Sequence, residues 1–213
     1  MRLMACSRPA RILLAGLAAG LAAGLAAAPA LAAATWTIKP GGAVTFGLVS
    51  ATIKDPKTGN LIRCPGGSLT GTLKSGSGLD GTRAGNITRA AINPCFGPGP
   101  LNWTITLLGL PWHLNLLSYD ASAGLVQGTI SHLETGAKGP EACRFVIDGT
   151  RGGASDGRVK FTYSDRTHQV TTSGGNLHFF NVTTGCAGVF ASGDPAALTA
   201  SFTLTPAQSI TSP

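Results

Sequence analysis

Apolar side chains recur at every second position in short runs along this chain, and no other feature restricts its fold as much. The runs are Trp36/Ile38, Val44/Phe46/Leu48, Leu101/Trp103/Ile105/Leu107, Trp112/Leu114/Leu116, Phe145/Ile147, Val159/Phe161/Tyr163 and Phe202/Leu204, with threonine and other polar residues filling most places between. A period of two puts one face of a strand on a core and the other in water. Turn chemistry separates the runs. Asp55-Pro-Lys-Thr-Gly-Asn60 reads as a hairpin, and Gly97-Pro-Gly-Pro100, Gly152 to Gly157 and Ser173-Gly-Gly175 read as breaks. Past residue 32 no segment has the pattern of an amphipathic helix. The expected fold is all-β, an antiparallel β-sandwich or closed barrel, with residues 74–87 as its longest glycine-rich loop.

The first 32 residues follow a different rule. Arg2, Arg8 and Arg11 precede an uncharged run over 13–28 that ends in Ala30-Leu31-Ala32, the pattern of a secretory signal peptide. The apolar run is shorter than the roughly 20 residues a spanning helix needs, and Cys6 precedes it, where a lipidated cysteine would not stand. Residues 33–213 are therefore read as one secreted, extracellular β-rich domain with no membrane span. Without the three leader arginines the 16 Lys+Arg become 13 against 9 acidic groups, and the formal charge falls from +7 to +4. So weak an excess argues against a nucleic-acid partner, which needs a dense basic face.

Cys64, Cys95, Cys143 and Cys186 remain, an even set that in an exported chain predicts two disulfides. Four cysteines allow three connectivities. The sequence alone does not choose among them, but an internal match favours sequential pairing. Cys64 and Cys143 each reach Gly-Thr within eight residues (Gly71-Thr72 and Gly149-Thr150). Gly85-Asn86-Ile87 stands ten residues before Cys95, and Gly175-Asn176-Leu177 eleven before Cys186. Two pseudo-repeated halves, about 33–115 and 116–213, would each carry a disulfide, Cys64 with Cys95 and Cys143 with Cys186.

Catalytic constellations do not assemble from spacing. Gly153-Ala-Ser155-Asp-Gly157 has the letters of a nucleophile elbow, but a strand-like run follows it where that motif needs a helix. His113, His132, His168 and His178 are dispersed without metal-ligand spacing. Glu134 and Glu141 lie in a polar stretch read as a connection, with no sign of a carboxylate pair across a cleft. No catalytic residue, metal ligand or cofactor is assigned. The binding candidates are Trp112 and His113, which open a strand directly after Gly109-Leu-Pro111, where an aromatic could stack on a sugar or a peptide.

Several phrases resemble small exported proteins of Streptomyces-like actinobacteria: Trp36-Thr-Ile-Lys-Pro-Gly-Gly42, Gly71-Thr-Leu-Lys-Ser-Gly-Ser-Gly-Leu79, Gly109-Leu-Pro-Trp-His-Leu-Asn115, Gly174-Gly-Asn-Leu-His178, Gly185-Cys-Ala-Gly188 and Gly193-Asp-Pro-Ala196, with the Ile210-Thr-Ser-Pro213 ending. That resemblance implies a Gram-positive host, in which the sequons at Asn86, Asn102 and Asn181 are irrelevant, and it implies no activity. The expected function is a secreted, non-catalytic extracellular β-domain that binds a wall polymer, a peptide or another secreted protein. The alternatives are an inhibitor or toxin displaying the 74–87 loop, and a small hydrolase whose histidines and acids converge only in the fold.

Overall fold

The computed structural model describes residues 35–92, 94–99 and 101–213, so the leader read as a signal peptide lies outside the described residues. The alternating runs form strands, and every pairing between strands is antiparallel. The first half supplies β1 (Thr35–Lys39), β2 (Gly42–Lys54), β3 (Leu61–Cys64), β4 (Gly67–Leu73), β5 (Gly76–Asp80), β6 (Gly85–Ala91), β7 (Cys95–Phe96), β8 (Asn102–Leu108) and β9 (Trp112–Asp120). The second half supplies β10 (Leu125–Lys138), β11 (Arg144–Asp148), β12 (Gly157–Ser164), β13 (Gln169–Gly175), β14 (His178–Phe180), β15 (Ala197–Thr205) and β16 (Ser209–Thr211), with one 3-10 turn at Thr184–Cys186.

Eight of these strands close a ring. β2 pairs β4, then β6, β9, β10, β12, β13 and β15 follow, and β15 returns to β2. Closure satisfies the backbone without leaving open sheet edges. The ring interior holds Phe46, Leu114, Leu116, Phe161, Val170 and Leu204, and Ile210 of β16 enters the same space. Tyr163 shares that interior, and its hydroxyl donates to the carbonyl of buried Gln208, which anchors the three-stranded sheet β16-β1-β5. Burial pushes the Tyr163 phenol up to about 12, so it stays a donor through the physiological range.

The two long strands overrun this ring. Residues 51–54 of β2 pair β3, residues 134–138 of β10 pair β8, and β7 joins β3 to β8. On the other side β11 pairs β10 and β14, and a His178–Pro195 bridge leads toward β15. The overrunning ends thus build a second circuit, and the whole is sandwich-like. Within it Phe145 meets Trp103, Phe179 and Phe190 at ring-centroid distances of 5.6, 5.1 and 4.9 Å. Cys64–Cys95 and Cys143–Cys186 are both disulfide-bonded. Where the circuits meet lies an apolar cavity of about 70 Å³, walled by Ile53, Ile105, Ile130, Leu133, Leu198 and their neighbours. At roughly 24 cal/mol per Å³ such a void costs about 1.7 kcal/mol.

The pairing network of one half recurs in the other. β2–β3, β2–β4, β4–β6 and β3–β7 match β10–β11, β10–β12, β12–β13 and β11–β14. β8 and β9 together lie along β10 as β15 lies along β2. The phrases that suggested the repeat do not coincide, however. Cys64 ends β3 whereas Cys143 precedes β11, and Gly71-Thr72 is mid-strand whereas Gly149-Thr150 is a turn.

Two expectations are corrected. The stretch 74–87 is not a long loop, because β5 and the start of β6 occupy much of it and β5 pairs β1. The polar stretch beginning at Leu133 is not a connection up to Lys138, because it completes β10, the longest strand. Gly128 and Thr135 on the inner face and a bulge at His132, with φ of 62°, broke the alternation there.

Candidate functional site

Trp112 starts β9 with its side chain on the inner face, 5% exposed, and its indole N–H donates to the Leu108 carbonyl at 2.8 Å. It lines the internal cavity and offers no rim for stacking, which corrects its reading as a binding residue. Alternation turns the next residue outward. His113 Nδ1 lies 2.7 Å from Asn86 Oδ1, and its ring meets that of His132 edge-on at 4.8 Å between centroids. The fold thus brings together two histidines 19 positions apart, because the β10 bulge turns His132 toward β9.

Partial burial lowers the His113 pKa below its ordinary 6.5, with smaller contributions from the charges of Arg83 and His132. The unfolded chain takes up this proton at a higher pH than the folded one. Its contribution to stability is therefore complete above about 6.5 and is lost as the pH falls through the lowered folded value. The denaturation midpoint of His113→Gln should accordingly drop less between pH 7.5 and 5 than that of the wild type; parallel drops would remove His113 as the cause.

Ser155 donates its hydroxyl to Glu134 Oε2 at 2.7 Å and its backbone N–H to Asp148 Oδ2 at 3.1 Å, with φ of 47°. No histidine among the described residues is hydrogen-bonded to either Ser155 or Glu134. The Gly-x-Ser-x-Gly letters have a steric origin instead, since a Cβ on Gly157 would stand 2.0 Å from the Leu133 carbonyl oxygen. His168 Nδ1 approaches the Tyr163 hydroxyl at 3.2 Å and His178 Nδ1 the Asn176 carbonyl at 3.0 Å. Among the described residues no three His, Cys, Asp or Glu side chains gather around a metal-sized space.

A concavity of about 570 Å³ opens on the outer face of the sheet formed by β8, the end of β10 and β11. Gly136 leaves its floor low beside Leu108, and Thr106 and Asn181 add a hydroxyl and an amide. Lys138 and Arg144 stand directly opposite each other across the β10–β11 pair, so both cations project from this face. Neither forms an ion pair among the described residues. The Thr183 hydroxyl accepts the Arg144 backbone N–H at 2.9 Å and donates to the Ala142 carbonyl at 2.8 Å, fixing the strand start. Sequence reading missed this pair, because Lys138 fell in the stretch read as a connection and Arg144 stood unremarked before the Phe145/Ile147 run. The available signal was the short turn Gly139-Pro-Glu-Ala-Cys143 between them.

No family model, no curated protein and no solved structure matches the chain.

Proposed function

We propose that this protein is an exported, non-catalytic β-domain of an actinobacterial cell surface that holds an anionic wall polymer in the concavity between Lys138 and Arg144. The observation that carries this reading is the like-charged pair itself. Two cations directly opposite on a sheet repel one another, and no carboxylate lines the concavity. A phosphate or carboxylate of a polymer turns that repulsion into a two-point attraction. The engagement of Ser155 and Glu134 with each other, and of Ser155 with Asp148, supports a structural use of the groups a hydrolase would need.

Co-sedimentation with purified phosphate-bearing cell wall tests the reading. Retention should be strong at about 50 mM salt, fall steeply by about 500 mM because exposed charges are screened, and drop at least tenfold in Lys138→Glu/Arg144→Glu. Retention that ignores both salt and the double substitution would overturn it.

A further inference from the structure

We infer a separate saccharide subsite on the outer face of the first half, where the Phe96 ring stacks on a pyranose and the Arg63 guanidinium pairs with that sugar's carboxylate. Cys64 and Cys95 are buried on the inner face of β3 and β7, 2% and 0% exposed. Alternation therefore sends their chain neighbours Arg63 and Phe96 outward, and the two are register partners across the β3–β7 pair. Directly opposite residues have Cβ atoms about 4.5–5.5 Å apart, and the adjacent disulfide, with its Cα atoms 4.2 Å apart, holds the two strands in this register. Phe96 is 39% exposed, the one aromatic among the exposed large apolar side chains of the described residues. Beside it lies a concavity of about 360 Å³ bordered by Asn60, Leu61 and the Gly97-Pro98-Gly99 turn. No carboxylate lines it, and Arg63 forms no ion pair among the described residues.

The second half shows that this exposure follows from local chain length. Phe180 occupies the corresponding place, opposite Val146 on β11. There the connection over 149–156 folds back, and a Cβ on Gly152 would stand 2.7 Å from the Phe180 ring. In the first half β3 is joined to β4 by Pro65-Gly66 alone, so no comparable connection folds over Phe96 among the described residues. Where the covered position is faced by valine, the open one is faced by arginine. A flat apolar ring beside an unpaired guanidinium matches a uronic-acid residue, whose C–H face packs on the aromatic and whose carboxylate accepts two N–H bonds.

This subsite shares no residue with the Lys138–Arg144 concavity, so the two readings can fail separately. Titration of the isotope-labelled protein with tri-galacturonate, followed by NMR, should give saturable shifts of the Phe96 ring and the Arg63 Nε–H. Phe96→Ala and Arg63→Gln should each weaken binding at least tenfold, Phe96→Tyr should keep it within about threefold, and Lys138→Glu/Arg144→Glu should leave it unchanged. Folding of each variant is checked by its dispersed spectrum, both side chains being on the surface. Absence of a saturable shift, equal binding of neutral maltotriose, or full affinity in Phe96→Ala would overturn the inference.

Discussion

Phe145→Ala should lower the unfolding free energy by about 4–5 kcal/mol, measured by urea denaturation. Truncating a buried phenylalanine costs roughly 3–5 kcal/mol through lost transfer energy and the cavity left behind, and Phe145 sits at the upper end for geometric reasons. Its ring is 2% exposed and lies against three others, those of Trp103, Phe179 and Phe190. Two of these, Phe179 and Phe190, also stack on each other at 5.0 Å, so they have little room to collapse inward. Edge-on and tilted aromatic pairs add about 0.5–1.5 kcal/mol beyond area alone. Phe145→Leu, which keeps most of the volume, should cost about 1.5 kcal/mol or less. A loss below about 2 kcal/mol for the alanine variant would mean that this cluster is not the centre of the second circuit.

The same residue shows what the sequence could and could not say. Phe145 and Ile147 were legible as one face of a strand because the short β-branched and aromatic run Phe-Val-Ile is bounded by charged Arg144 and Asp148. β2, β8, β9, β12 and β15 were legible by alternation, which is why the all-β class follows from pattern alone. The strands that escaped are those whose inner faces carry small residues. β4 reads Gly-Ser-Leu-Thr-Gly-Thr-Leu, and a Cβ on its Gly71 would come within 1.9 Å of the Asn86 carbonyl oxygen, so close packing there demands the residue that hides the alternation. β10 escaped through its bulge at His132, which shifts the register by one residue and with it the apolar phase.

The surface groups were less legible, since they depend on which strands become neighbours. His113 and His132 meet only because β9 pairs β10. Lys138 and Arg144 face each other only because 139–143 is a hairpin turn and not a loose connection. Trp112 stood out in the sequence as a large aromatic beside a turn, yet alternation counted from Leu114 and Leu116 already put it inside. Phe96, flanked by a buried cysteine and a glycine, gave no periodic signal at all.

Asp148→Ala should cost about 3–5 kcal/mol and release the loop that covers Phe180. Asp148 ends β11 on the outer face, where a carboxylate would ordinarily be solvated, yet it is 0% exposed. Backbone N–H groups replace the water: Gly149 and Gly157 donate to Oδ1 at 2.7 and 3.2 Å, and Ala154 and Ser155 donate to Oδ2, each at 3.1 Å. Removing the acceptor leaves several buried donors unpaired, at roughly 1–3 kcal/mol each, partly relieved if the loop opens to water. Asp148→Asn keeps one carbonyl oxygen but turns an amide NH2 toward two donors, so it should lose about half as much. Amide exchange over 149–157 should accelerate in both variants while that of β12 beyond Val159 changes far less. Opening the loop also uncovers Phe180, so the alanine variant should gain a second exposed aromatic in the position Phe96 holds in the first half. A variant that loses less than about 1 kcal/mol, with exchange in 149–157 unchanged, would show that the loop is held by its other contacts, chief among them the Arg151–Asp156 and Ser155–Glu134 bonds.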